Sequence, residues 1–132
     1  MKAGVFLACF LLAAGGLAVA NPSTATPVVV NYGTFPVTVG GASYDLITIV
    51  QDFPPGTGIP MHRHGGYLVV TVVSGELTLH DKGIDRVIKT GESFTESPGN
   101  LHYVTNDGSS QVRIAVSVLL PKGAEITTMA PN

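Results

Sequence analysis

The sequence predicts an all-β domain on three observations: short runs rich in β-branched and aromatic residues, turn residues between them at close intervals, and no apolar repeat of helical period. At 132 residues, with 45% hydrophobic side chains, the chain has room for one domain around one core. The runs that read as strands are Val28 to Asn31, Pro36 to Val39, Tyr44 to Phe53, Tyr67 to Val73, Glu76 to His80, Asp85 to Lys89, Ser93 to Glu96, His102 to Thr105 and Gln111 to Leu120. Between them stand Gly40-Gly41, Pro54-Pro55-Gly56, Ser74-Gly75, Asp81-Lys82-Gly83, Gly91, Pro98-Gly99 and Asn106-Asp107-Gly108, each able to make a turn. A chain of many short strands hides its edges by closing or doubling the sheet, so a sandwich and a jelly-roll barrel both fit. Periodicity alone does not choose between them.

The two ends differ from the middle. Residues 1–20 open with Lys2, continue through an almost wholly apolar stretch from Ala3 to Val19, and finish on Ala18-Val19-Ala20, small residues of the kind a signal peptidase reads. They are expected to be a signal peptide cleaved after Ala20, giving a secreted or periplasmic protein with no membrane contact once the signal is removed. An uncleaved anchor is the competing reading, but Gly and Ala dominate the stretch and no basic stop-transfer cluster follows it. Cys9, the one cysteine, lies inside this segment, so the mature chain would form no disulfide. Residues 21–35 read as an N-terminal leader and first strand, 36–120 as the barrel, and 121–132 as a solvent-facing C-terminal tail. Nine acidic and seven basic side chains leave neither a basic stripe nor an acidic tail, so no nucleic acid partner is expected.

Four histidines remain in the mature chain, at 62, 64, 80 and 102. In an extended segment, residues two apart point to one face, so His62 and His64 would lie side by side with Arg63 turned away. Neutral imidazole is the commonest nitrogen ligand, and a third ring from a distant strand completes a facial set with open positions. His102, just after a Pro-Gly turn, is the candidate. His-x-His by itself more often marks a solvated strand than a metal site. His80 precedes the Asp81-Lys82-Gly83 turn and reads as a solvent-facing strand end outside the site.

The spacing around these residues resembles the cupin superfamily. Its first motif is Gly, five residues, His-x-His, three or four residues, Glu, six residues, Gly; here Gly56, His62-Arg63-His64, Leu68 and Gly75 stand in those places. Its second motif is Gly, five residues, Pro-x-Gly, two residues, His, three residues, Asn; Gly91, Ser97-Pro98-Gly99, His102 and Asn106 match it in register, with serine at the first proline. The stretch Glu76 to Thr90 between the motifs has hairpin length. The resemblance implies a single-domain cupin jelly-roll β-barrel and carries metal binding onto His62, His64 and His102.

One position departs from the pattern. Leu68 stands where most metal-binding relatives carry a glutamate ligand, and its parity with Val70 and Val72 makes it an apolar wall. Three neutral imidazoles leave the full charge on a divalent ion, with iron, manganese, zinc and nickel all compatible, and favour an anionic or enolate-like ligand. The implied function is an exported metalloprotein acting on a small chelating organic molecule as an oxygenase or lyase; the alternative is a non-catalytic binding domain for a small ligand or metal. A barrel that keeps its histidines for packing is the third reading. Gln51, Tyr67, Glu96, Tyr103 and Ser117 lie on strands near the motifs and are candidates either for the cavity or for solvent. The resemblance also implies pairing through sheet edges into a homodimer.

Overall fold

The computed structural model describes residues 25–131, and the expected signal peptide, residues 1–20, lies outside them. Among the described residues ten strands form two five-stranded sheets and there is no helix. The strands are β1 (Val28–Val39), β2 (Ala42–Phe53), β3 (Gly58–His64), β4 (Tyr67–Ser74), β5 (Glu76–Asp81), β6 (Ile84–Lys89), β7 (Ser93–Glu96), β8 (His102–Thr105), β9 (Val112–Pro121) and β10 (Thr127–Met129). One sheet has the order β1-β2-β9-β4-β7 and the other β10-β3-β8-β5-β6, with every pairing antiparallel. This is the jelly-roll alternative: the chain crosses from sheet to sheet and the two inner faces share one core.

Alternation along the strands builds that core. On β9 the even-numbered residues Val112, Ile114, Val116, Val118 and Leu120 are buried, and on β4 Leu68, Val70 and Val72 are. Leu77, Leu79 and Val104 meet them from the second sheet. A period-two pattern with one apolar face is what pins strand register, because a slip of one residue would turn the whole set to solvent.

Three parts of the chain differ from the sequence expectation. The runs at Val28 to Asn31 and Pro36 to Val39 belong to one twelve-residue strand, β1. Tyr32, Gly33, Thr34 and Phe35 stand opposite Ile49, Thr48, Ile47 and Leu46, so pairing with β2 carries the ladder through a weak local propensity. No separate leader therefore ends at 35. The hairpin turns at Gly40-Gly41, both with positive φ (57° and 82°), as a two-residue β-turn of that hand requires.

The second difference is β3, which carries His62 and His64 in a segment with three prolines in or just before it (Pro54, Pro55 and Pro60) and little strand propensity. The β3–β8 register shifts between Ile59 and His62, so Pro60, which has no N–H to give, falls at the irregularity. The third concerns residues 121–132. The expected solvent-facing tail instead returns to the sheet as β10, pairing Thr127, Thr128 and Met129 with His64, Arg63 and His62. Ala124 and Ile126 pack against the core on the way.

Gly65 and Gly66 allow this return. A Cβ on Gly65 would lie 2.4 Å from the Glu125 carbonyl oxygen, and one on Gly66 2.4 Å from that of Leu119. Close backbone approach, rather than turn geometry, is what these glycines permit. We expect Gly66→Ala to destabilise the domain by about 1–3 kcal/mol, in the range of other overpacked sites. Urea unfolding followed by circular dichroism measures it, and an unchanged midpoint would contradict the close approach.

Candidate metal centre

His62 and His64 alternate with exposed Arg63 on β3, and His102 opens β8 directly opposite His62 in the ladder. The alternation turns both β3 rings inward, and the Pro98-Gly99 turn delivers the third. The rings are buried, at 3%, 8% and 1% exposure for His62, His64 and His102. Their centroids lie 4.8 Å (62–64), 4.3 Å (62–102) and 5.2 Å (64–102) apart, and one nitrogen from each lies within 4.8 Å of the others. The structure thus brings together the three histidines singled out by spacing and motif.

Each ring is fixed through Nδ1. The Nδ1 atoms of His62, His64 and His102 lie 2.7, 2.8 and 3.1 Å from the backbone oxygens of Pro60, Ile126 and Asn100. A carbonyl oxygen only accepts, so each Nδ1 carries the proton and donates it. In the neutral rings the Nε2 lone pairs are then free, the arrangement in which a histidine binds a metal while its other nitrogen holds its orientation.

A carboxylate completes the cluster. Glu96, at the end of β7, is 6% exposed; its Oε1 lies 2.8 Å from His102 Nε2 and its Oε2 3.1 Å from His64 Nε2. His102 Nε2 is buried with no hydrogen-bonding partner in line with it, despite that short separation. Burial opposes ionisation of Glu96, but the imidazoles of His102 and His64 outweigh it and hold the carboxyl at about 2. Burial likewise works against protonated His102, yet the Glu96 carboxylate and the Asn100 carbonyl leave that ring above its ordinary value. His62 goes the other way: burial, reinforced by the neighbouring imidazoles against the Pro60 carbonyl, lowers it to about 4.

The cluster stands at one side of a cavity of about 80 Å³ whose walls include Leu68, Val70, Phe94, Val116 and Ile126. At roughly 10–15 Å³ for each enclosed water, that is space for a molecule of only a few heavy atoms. Gln51 and Thr127 add the remaining polar side chains of the lining. Of the other candidates, Tyr67 and Ser117 face solvent. Tyr103 stacks on His80 with centroids 4.0 Å apart.

His80 stays outside the site but does not face open solvent. Its Nδ1 meets Asp85 at 2.7 Å and its Nε2 meets Thr105 at 2.8 Å. Asn106, the last residue of the second motif, is structural: its amide donates to the Phe53 and Ser110 carbonyls.

The comparisons with known proteins agree with this geometry. The sequence profile of the cupin domain matches residues 49–119, and the chain belongs to the cupin family. An oxalate-binding protein of Thermotoga maritima is 37% identical over 70 residues, which make up 51% of this chain and 57% of that protein. The match therefore spans little more than half of the relative's length. Among solved structures, an uncharacterised double-stranded β-helix protein from Klebsiella pneumoniae superposes with a TM-score of 0.59 at 29% identity, covering 85% of this chain and 90% of the other. A predicted oxalate decarboxylase from Thermotoga maritima shares the fold, with a TM-score of 0.53 at 20% identity over 66% of this chain and 91% of that one.

The low value of His62 has a consequence for metal-stripped protein. Between pH 6.5 and about 4 the unfolded chain binds a proton at this residue that the folded chain refuses, so the contribution is full above 6.5 and lost as pH falls toward 4. The expected loss is about 1–3 kcal/mol over that interval. Urea titrations in chelator should show it as a difference in slope between wild type and His62→Gln; parallel profiles would contradict a buried neutral ring.

Proposed function

We propose that this cupin holds a divalent metal ion through His62, His64 and His102 and binds a small chelating anion of the oxalate type in the cavity beside it. The observation that carries this reading is the set of three buried imidazoles with every Nδ1 committed to a carbonyl. Those bonds aim the three Nε2 atoms into one space, where His102 Nε2 is buried without a hydrogen-bonding partner and a cation would satisfy it. The bound ion would offer positive charge and open positions to two oxygens of a carboxylate ligand.

The surrounding residues support a small, compact anion. The cavity of about 80 Å³ suits a ligand of few atoms. The walls are mostly apolar, and Gln51 and Thr127 add neutral polar groups to the lining. The oxalate-binding relative is in keeping with this choice of ligand. The second reading, an oxygenase or lyase, draws on Glu96 as the carboxylate that would handle a proton.

Protein purified without chelator is expected to contain close to one divalent ion per chain by elemental analysis, and His62→Ala to lose it. Calorimetric titration with oxalate should give heat only for the loaded form. A wild type that neither retains nor takes up a divalent ion overturns the proposal, while consumption of oxalate would establish the second reading.

The proposal includes export. The Lys2 start, the apolar stretch and Ala18-Val19-Ala20 motivate cleavage after Ala20. Exposed Val28, Val30, Tyr32 and Phe35 on the edge strand β1 motivate a homodimer. Native mass spectrometry of the exported protein tests both. The expected species is a pair of chains beginning at Asn21, and a monomer or a chain retaining Met1 would refute the corresponding part.

A further inference from the structure

We infer that Glu96 is a fourth ligand of this metal centre, supplying from β7 the carboxylate that position 68 on β4 lacks. The inference rests on the metal reading above and deepens it. Its first support is register. Leu68 and Glu96 are directly opposed in the β4–β7 ladder. Directly opposed residues of an antiparallel pair project from the same face, with Cβ atoms about 4.5–5.5 Å apart. Both side chains face inward, at 4% and 6% exposure. A carboxylate starting from residue 96 therefore reaches the space that one starting from residue 68 would occupy, and the two positions have exchanged character.

The second support is the contact geometry. The Nδ1 protons leave the Nε2 atoms of His64 and His102 as lone pairs, and these face the oxygens of a carboxylate, which are lone pairs too. Two acceptors meet at this distance only with a cation between them. A proton is the simplest, but His102 Nε2 and Oε1 are out of line for a hydrogen bond at 2.8 Å. Adjacent ligands of a metal are off-line in just this way. Two donor atoms each about 2.1 Å from an ion, at right angles about it, lie about 3.0 Å apart. The observed separations of 2.8 and 3.1 Å fall on either side of that value.

The third support is the neutral alternative the chain has not adopted. A buried carboxylate among Leu68, Val70 and Phe94 is costly unless it meets positive charge. The contacts of its two oxygens are with two of the three proposed ligands, one oxygen to each. The carboxylate thus bridges His64 and His102 instead of closing an ion pair with one ring.

Cobalt(II) is the probe for the test, since its visible bands report the ligand set independently of any turnover. Wild type, Glu96→Gln and the exchange variant Leu68→Glu/Glu96→Leu are titrated against a competing chelator and their spectra recorded. We expect Glu96→Gln, nearly isosteric, to weaken cobalt binding by at least about tenfold and to shift the bands. Recovery of affinity in the exchange variant would confirm that a carboxylate from either strand serves. Equal affinity with superimposable spectra overturns the inference. Weaker binding with unmoved bands also overturns it, because Glu96 would then act through His102 without touching the ion. A wild type that binds no cobalt removes the metal reading itself, and this inference with it.

Discussion

A buried imidazole has one proton to place and one lone pair to use, and the backbone here decides which nitrogen gets which. The carbonyls of Pro60, Ile126 and Asn100 each take an N–H from a ring at Nδ1. Everything chemical about the cluster follows from those bonds. They turn the Nε2 atoms toward one another, and they fix rings that are otherwise free to rotate about χ2. They also draw on features that are not themselves polar: the register shift at Pro60, the turn before His102 and the return of the chain at Ile126. The site is precise because three separate pieces of backbone were already in place for reasons of pairing and packing.

Charge within the cluster is balanced locally. Glu96 stays ionised because two rings face it, and His102 accepts a proton more readily because that carboxylate is beside it. His62, which has no such carboxylate contact, is held neutral by burial. With a divalent ion bound at the proposed centre, the same groups would form a ligand set with a net negative charge. Such a set would leave one positive charge on the centre, available to a small anion.

The fold and the three rings were legible in the sequence because their signals are local. His-x-His on an extended segment sets two side chains on one face, and the spacing of glycines, prolines and His102 around a hairpin is a pattern along the chain. Glu96 could be named as a residue near the motifs, but its role depends on lying opposite Leu68, a relation between strands separated by a hairpin. A search for an inward carboxylate on the strand paired with position 68 would have found it. The β10 strand was missed for a similar reason. Its three residues have no strong propensity and are recruited by unpaired backbone on β3, with Gly65 and Gly66 leaving the space. His80 misled in the opposite direction: a strand-end histidine before a turn looked solvated, yet Asp85, Thr105 and Tyr103 enclose it.

The bond from His64 to Ile126 joins residues sixty-two positions apart. During synthesis His64 emerges long before the carbonyl that orients it, so the barrel can begin to fold with this ring still unset. Only when residue 126 has cleared the ribosome can the third strand receive its last neighbour and the cluster take its final form.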